Sequence, residues 1–374
     1  HLILIRNCFA HRQVLELFPT LISAFGPAAR KGSAISYYGN LPILSFTLRT
    51  ATGQNLQKLS FNVRLKSLPI VSVGLGLLIW RTAAVIDGLK QRVVTAIILL
   101  IALLALTLFT RPFIFAAVVA VIVALAAWEW TAFVGIEGIA LKASYTSALF
   151  VMLMGAASIS GFSGNADTFI SYQVMLILGL GLLWWCIAAF LLIGYPESSA
   201  AWNDKFKISL MGLLTLIPTW TGLVALKYAL PSGYFVLGVV IMVAGVDIGA
   251  YFVGRFLGAR PLAPSLSPNK TWEGVWGGFI TCCAVSALLI WGTHRYLFEL
   301  RPLQVSILLL SCVITTFFAV VGDLFESMLK RNSDLKDSGS TLPGHGGILD
   351  RIDALLAVTP SSVIIVMLTL DQVH

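Results

Sequence analysis

The sequence predicts an all-α fold: a polytopic helical membrane protein with about nine transmembrane helices. Two observations predict it. Of 374 residues, 58% are hydrophobic and only 11% charged, more apolar surface than a soluble domain has reason to carry. Those residues fall in solid apolar blocks of the length a helix needs to cross a bilayer, about 20 residues. A membrane β-barrel would instead alternate over segments of about ten residues.

The spans run near 93–110, 112–133, 139–158, 171–194, 208–227, 234–256, 275–296, 303–326 and 347–370. No secretory signal peptide is expected, because the first long apolar block is too long and further spans follow it. Residues 1–88 differ from the rest. They are basic and turn-rich, show no sustained hydrophobic period, and contain no Met, the first being Met152. The 68–86 stretch is weakly apolar but interrupted by Arg81 and is not counted as a span. Residues 1–88 are therefore expected to be an atypical N-terminal extension, or translated upstream sequence, outside the functional part of the chain. Residues 89–374 form the transmembrane domain.

The net charge of +8 does not indicate nucleic-acid binding, since basic residues of membrane proteins gather in cytoplasmic loops beside anionic headgroups. Cys8, Cys186, Cys282, Cys283 and Cys312 lie mostly in apolar runs without a CxxC pair, which points to buried, inert thiols. Loops on the side of Lys90 and Arg92 carry Lys205, Lys207, Arg255, Arg260, Lys270, Lys330, Arg331 and Lys336; the opposite loops hold only Arg111, Lys227, Arg295 and Arg301. This bias sets the N-terminus in the cytoplasm, and an odd span count places the C-terminus outside. Parity also puts the 257–274 and 327–346 loops on one face.

Chemistry concentrates in 327–353, where acids, bases, a His and glycines crowd between two apolar spans. Ionic groups at bilayer depth are functional candidates by default. Asp323, Glu326 and Lys330 recur at i, i+3 and i+7, on one helix face. A salt-bridged helix end is the bland alternative. Asp350 and Asp353, at i and i+3, aim two carboxylates the same way at the start of the last span. Mg²⁺ takes one or two such carboxylates together with substrate phosphates. The turn of Gly344, His345, Gly346 and Gly347 would let backbone amides approach an anion at a helix N-terminus. His345 reads equally as a phosphate hydrogen-bonder or as a polar turn residue. Lys330, Arg331, Lys336 and Arg351 can neutralise phosphates. The combination fits metal-assisted phosphoryl or nucleotidyl transfer.

Two further segments join this face. Asp247 sits in mid-span with Tyr251 one turn on, and must face the bundle interior or a wet cavity. Nearby Gly245, Gly249 and Gly254 suit tight helix packing. Ser265, Ser267, Asn269, Lys270 and Thr271, set between Pro264, Pro268 and Trp272, form a rigid polar turn. It is either a linker or part of a triphosphate cradle.

Together these residues resemble the phosphatidate cytidylyltransferase family, the CDP-diacylglycerol synthases. Ser327, Lys330, Arg331, Lys336, Asp337, Pro343, His345, Gly346, Gly347, Asp350, Arg351 and Asp353 match the family's signature at every fixed position. The 267–274 and 247–255 segments are similar to family motifs, and the resemblance covers roughly residue 89 to the C-terminus. It implies the reaction of CTP with phosphatidate to give CDP-diacylglycerol and pyrophosphate, on the cytoplasmic side of the plasma (inner) membrane. It further implies catalytic Asp323, Lys330, Asp350 and Asp353, with Mg²⁺ on Asp323, Asp350 and Asp353 and a second, monovalent cation such as K⁺. Substrate contacts would come from Asp247, Tyr251, Ser267, Asn269, Lys270, Thr271, Arg331, Lys336, Asp337, His345, Gly346, Gly347 and Arg351, in a homodimer. A secondary transporter using Asp247 and a CTP-dependent polyprenol kinase are the rival readings. The first predicts internal repeats, and none is clear in the sequence.

Overall fold

A computed structural model describes residues 33–38, 41–50, 57–64, 94–162, 172–339, 341 and 346–370. His345, Pro343, Cys8 and the 68–86 stretch lie outside them. The chain divides into two compact units, His1–Asp87 and Gly88–His374. In the first, three strands β1 (Ser33–Tyr38), β2 (Leu41–Thr50) and β3 (Gln57–Arg64) form an antiparallel meander in sequence order. Its register pairs Ile35 with Leu44 and Phe46 with Phe61. The sequence shows no sustained hydrophobic period over residues 1–88. The strands lie in a stretch rich in β-branched and aromatic residues, which suit a pleated surface.

The second unit is helical. A short apolar helix, α1 (Val94–Phe109), is followed by α2 (Pro112–Val134), α3 (Ile139–Ile159) and α4 (Tyr172–Ile193). A single turn, α5 (Ser199–Trp202), leads to α6 (Lys205–Ala229) and α7 (Tyr234–Leu257). A hairpin of β4 (Pro261–Ala263) and β5 (Ser267–Thr271) then precedes α8 (Trp272–Tyr296), α9 (Pro302–Asn332) and α10 (Leu349–Leu370). Among the described residues, eight helices are long and apolar enough to cross a membrane, with α1 a shorter ninth apolar helix. The protein is an integral membrane protein.

Three boundaries differ from expectation in ways that matter. Helix α9 continues past 326 to Asn332, so Lys330 and Arg331 are helical and not loop residues. The 257–274 loop contains a two-stranded hairpin. Lys227, read as a loop residue, lies in the last turn of α6 and is fully buried.

Helix α6 is the central post. Tryptophan side chains fasten its neighbours to it: Trp130 Nε1 of α2 donates to Ile208 O at 2.9 Å, Trp184 Nε1 of α4 to Thr215 Oγ1 at 2.9 Å, and Trp220 Nε1 to Ala116 O at 3.0 Å. Proline 360 interrupts α10 and removes the amide that would serve Leu356 O. The Thr219 hydroxyl of α6 lies 3.1 Å from that carbonyl and shares its hydrogen between it and Thr215 O of its own helix, at 2.8 Å. A backbone group freed by proline in a span must be satisfied by a neighbour, and here it also joins α6 to α10. At the end of α9 nearest the ionic residues, Phe325 sits among the rings of Trp130, Trp184 and Trp185, with centroids 6.5, 5.6 and 5.5 Å away. That aromatic packing holds the turn bearing Asp323 and Glu326. The four described cysteines are free thiols; Cys282 and Cys312 are buried, whereas Cys186 is exposed on the outer surface of the bundle instead of buried as expected.

Candidate active site

The ionic residues gather where α7 ends, α8 begins, α9 ends and α10 begins. Two close helix crossings bring them together. On α9, Gly322 has no side chain, and a Cβ there would run into the backbone carbonyl of Asp353 on α10. The gap between α9 and α10 therefore closes at the level of Asp323 and Asp353, and their carboxyls are neighbours. Helices α7 and α8 cross as tightly at Gly249 and Gly277, each of which abuts backbone of the other helix. This carries Asp247 within electrostatic reach of Asp323 and Lys270.

The β4–β5 hairpin delivers Lys270. Glu273, in the first turn of α8, accepts from the amides of Ala259 and Arg260 at 3.1 Å and from Arg260 Nε at 3.0 Å. The Thr271 hydroxyl caps α8 by accepting from Gly274 N at 3.2 Å. Arg331 of α9 donates to Leu266 O at the hairpin tip, 3.4 Å away. Held at three points, the hairpin puts the Lys270 ammonium on Asp323 in a direct ion pair.

A second ion pair network lies next to the first. Lys330 Nζ bridges Glu326 Oε2 and Asp350 Oδ1, each at 2.9 Å. Asp350 also accepts from Ser338 N at 3.1 Å and Gly347 N at 2.8 Å, while Oε1 of buried Glu326 has no hydrogen-bond partner among the described residues. Asp353, one turn into α10, accepts from its neighbour's amide, Ala354 N, at 2.9 Å, and lies within electrostatic reach of Glu326 as well as Asp323. The result is a continuous patch of five carboxylates (Asp247, Asp323, Glu326, Asp350 and Asp353) served directly by two ammonium groups, Lys270 and Lys330. A patch with this excess of negative charge invites a cation.

Asp323, Asp350 and Asp353, the expected metal ligands, all lie in this patch. Among the described residues no three His, Cys, Asp or Glu side chains are grouped so as to hold a metal ion, and the oxygens of Asp350 are engaged by Lys330, Ser338 and Gly347. The adjacent pair Asp323 and Asp353 still fits Mg²⁺, which typically takes one or two carboxylates and completes its shell with water and phosphate oxygens. The amides of Ile348 and Leu349 point at Glu129, both at 3.0 Å, and that of Gly347 at Asp350. These donors are committed to protein carboxylates, not presented to a ligand.

Other expected contacts fall outside the patch. Tyr251 is exposed and accepts from Arg255 Nη1 at 3.3 Å. Asn269, Lys336, Asp337 and Arg351 are exposed on the same end of the bundle, and Ser267 is half-buried in the hairpin. Gly346, by contrast, borders the patch: it adopts φ +83, and a Cβ there would lie 2.8 Å from Asp350 Oδ2 and 3.7 Å from Asp337 Cβ. His345 lies outside the described residues. Glu129 of α2 was missed altogether. Its signal in the sequence was one acid between Trp128 and Trp130 in an otherwise apolar span. An apolar cavity of about 530 Å³ lies toward the opposite ends of α7 to α10, lined by residues such as Tyr234, Met242, Leu289 and Ile365, with no carboxylate.

The helical membrane bundle thus gathers its ionic patch at one end. Residues 90–369 match the cytidylyltransferase family. The chain is 40% identical over 273 residues to a phosphatidate cytidylyltransferase of Pseudomonas aeruginosa, covering 73% of this chain and 94% of that one. It is 39% identical over 280 residues to the phosphatidate cytidylyltransferase of Haemophilus influenzae, covering 73% and 96%. A Bacillus subtilis phosphatidate cytidylyltransferase shares 47% identity over 120 residues, 32% of this chain and 42% of that one. The chain belongs to the cytidylyltransferase family and is an enzyme of the nucleotidyltransferase class.

Proposed function

We propose that this protein transfers the cytidylyl group of CTP to phosphatidate, releasing pyrophosphate and leaving CDP-diacylglycerol in the bilayer. The observation that carries the reading is the patch of Asp247, Asp323, Lys270 and Asp353, assembled from three helices and the hairpin in a member of this family. The phosphatidate oxygen forms a bond to the α-phosphorus of CTP, and the bond from that phosphorus to the oxygen bridging to the β-phosphate breaks. Phosphatidate arrives ionised, so no strong base is needed; the barrier lies in aligning two anions and neutralising their repulsion. Asp323 and Asp353 would hold Mg²⁺. When bound, it supplies charge neutralisation for the triphosphate and the departing pyrophosphate, with K⁺ as a second cation. Lys270, held over Asp323, is placed to turn to the incoming phosphates. Lys330 fixes Glu326 and Asp350 and so the first turn of α10. Arg331, Lys336 and Arg351 add positive charge around the mouth of the site.

The excess of Lys and Arg at this end supports a cytoplasmic active site and N-terminus, in the plasma (inner) membrane of a cell. Exposed aromatic residues on α7 and α8, such as Phe252, Phe256 and Trp276, would face lipid or the second copy of a homodimer. Residues 1–88 would lie outside the catalytic machinery: the family match begins at residue 90, and their deletion should leave activity intact. The decisive assay supplies purified protein with phosphatidate, Mg²⁺ and CTP labelled at either the α- or the γ-phosphate. Label from the α-phosphate in the lipid supports the proposal. Label from the γ-phosphate would mean a kinase, and no labelled lipid would remove the reading.

A further inference from the structure

We propose that Glu129 is a positioning residue of this enzyme, fixing the 338–350 segment and through it the carboxylates of Asp350 and Asp353; this rests on the reading above, in which those carboxylates serve nucleotidyl transfer. Glu129 belongs to α2, which carries none of the five patch carboxylates, and is only 4% exposed. Four donors meet it. Oε1 accepts from Ile348 N at 3.0 Å and Thr341 Oγ1 at 2.5 Å; Oε2 accepts from Leu349 N at 3.0 Å and Ser338 Oγ at 3.4 Å. None of the four is a cation. The charge is stabilised by two amides at the positive end of α10 and by two hydroxyls, all from one segment of chain.

The consequences reach the site directly. Glu129 holds the residues on which α10 starts, Asp350 follows at once, and Asp353 lies one turn beyond. Ser338 links the two levels, since its hydroxyl binds Glu129 while its amide binds Asp350 at 3.1 Å. Two signature-region glycines are explained by the same contact. A Cβ on Gly339 would strike the Glu129 carboxylate at 2.6 Å, and one on Gly347 would lie 2.6 Å from Oε2 and collide with the Ser338 hydroxyl. The smallness of Gly347 therefore serves the anchor, independently of any ligand.

A carboxylate is specifically required. Each of its oxygens faces a backbone N–H, so a glutamine in the same pose turns its NH₂ toward one of those donors whichever way the amide is placed. The test compares full-length wild type with Glu129→Gln, reading hydrogen exchange of the 338–350 amides, thermal unfolding, and kcat and KM for CTP. Exchange at Ile348 and Leu349 should quicken by about tenfold or more. Turnover should fall about a hundredfold through misplacement of the aspartates, with a smaller change in KM. Loss of thermal stability with wild-type exchange and wild-type kcat per folded molecule would mean mere scaffolding and overturn the proposal. If wild type itself makes no CDP-lipid, the reaction reading fails and the exchange comparison alone decides the anchor. Should Glu129→Gln not fold, the double variant Ser338→Ala, Thr341→Val keeps the charge and removes two donors. It should shift exchange and kcat in the same direction by a smaller factor, and wild-type values there would overturn the anchor equally.

Discussion

Glu129 and the pair Asp323–Asp353 are carboxylates at the same end of one helical bundle, yet their surroundings differ in kind. Glu129 has a hydrogen-bond donor for every direction in which it can accept, and nothing is left over for a ligand. Asp323 and Asp353 crowd each other, with Asp247 and Glu326 close by and Lys270 as their direct counter-charge. A saturated buried charge is architecture. A crowd of like charges is stable only when something else arrives to neutralise it, and on the proposed reading that something is a cation with a nucleotide's phosphates. Lys227 makes the same contrast from the far end of the bundle. It is fully buried, yet its ammonium is satisfied by Thr107 O at 2.5 Å, Pro231 O at 2.6 Å and the face of Phe115.

The contrast breaks first if the crowded pair proves dispensable. Asp353→Asn or Asp323→Asn removes one negative charge from the group while preserving shape, so the protein should remain folded and relieved of repulsion. Its CDP-lipid synthesis should drop by at least about a hundredfold, and raising Mg²⁺ should restore part of it. Turnover near wild type in both variants, measured with α-labelled CTP, would mean that the crowding is incidental. Next in size is Lys270→Ala. It strips the ammonium from Asp323 and the hairpin's phosphate contact together, and should raise KM for CTP and reduce kcat/KM by about tenfold to a hundredfold. A variant with unaltered KM would show that Lys270 only neutralises Asp323. Smaller again is Gly347→Ala, whose methyl group must displace Ser338 and Glu129. It should weaken activity by about tenfold and lower the melting temperature; wild-type behaviour in both would show that the anchor has slack.

What the sequence made legible follows the same division. The spans were visible because apolar blocks of fixed length carry their own signal, and Asp323, Asp350 and Asp353 stood out as acids in apolar helices. Their grouping into a pair and a separately engaged Asp350 was not visible. It depends on Gly322 letting α9 close on α10, and on Lys330 reaching two acids from a helix one turn and a half longer than its apolar part. The β4–β5 hairpin was hidden because prolines and serines read as a turn, whereas Glu273 just beyond it and Arg331, 65 positions on from Leu266, fix its two sides. Glu129 was hidden for a different reason. A single acid in a tryptophan-rich span signals burial, but its partners lie some 210 to 220 positions along the chain. Only the fold brings Ile348 and Leu349 to it.

Lys227 supplies the mildest and most discriminating prediction. Lys227→Met keeps the length and apolar stem of the side chain and removes the charge. It leaves the carbonyls of Thr107 and Pro231 buried without that donor, at a cost of about 1–3 kcal/mol for each unsatisfied group. Part of this is offset because a buried ammonium no longer needs desolvating. The melting temperature should therefore fall, while kcat and KM for CTP measured well below it stay at wild-type values, because the carboxylate patch lies at the other end of α6 and α7. If turnover fell with unchanged melting, a saturated buried charge would be steering catalysis from across the membrane. The rule separating satisfied from crowded ionic groups would then fail at the place in the molecule where it should be safest.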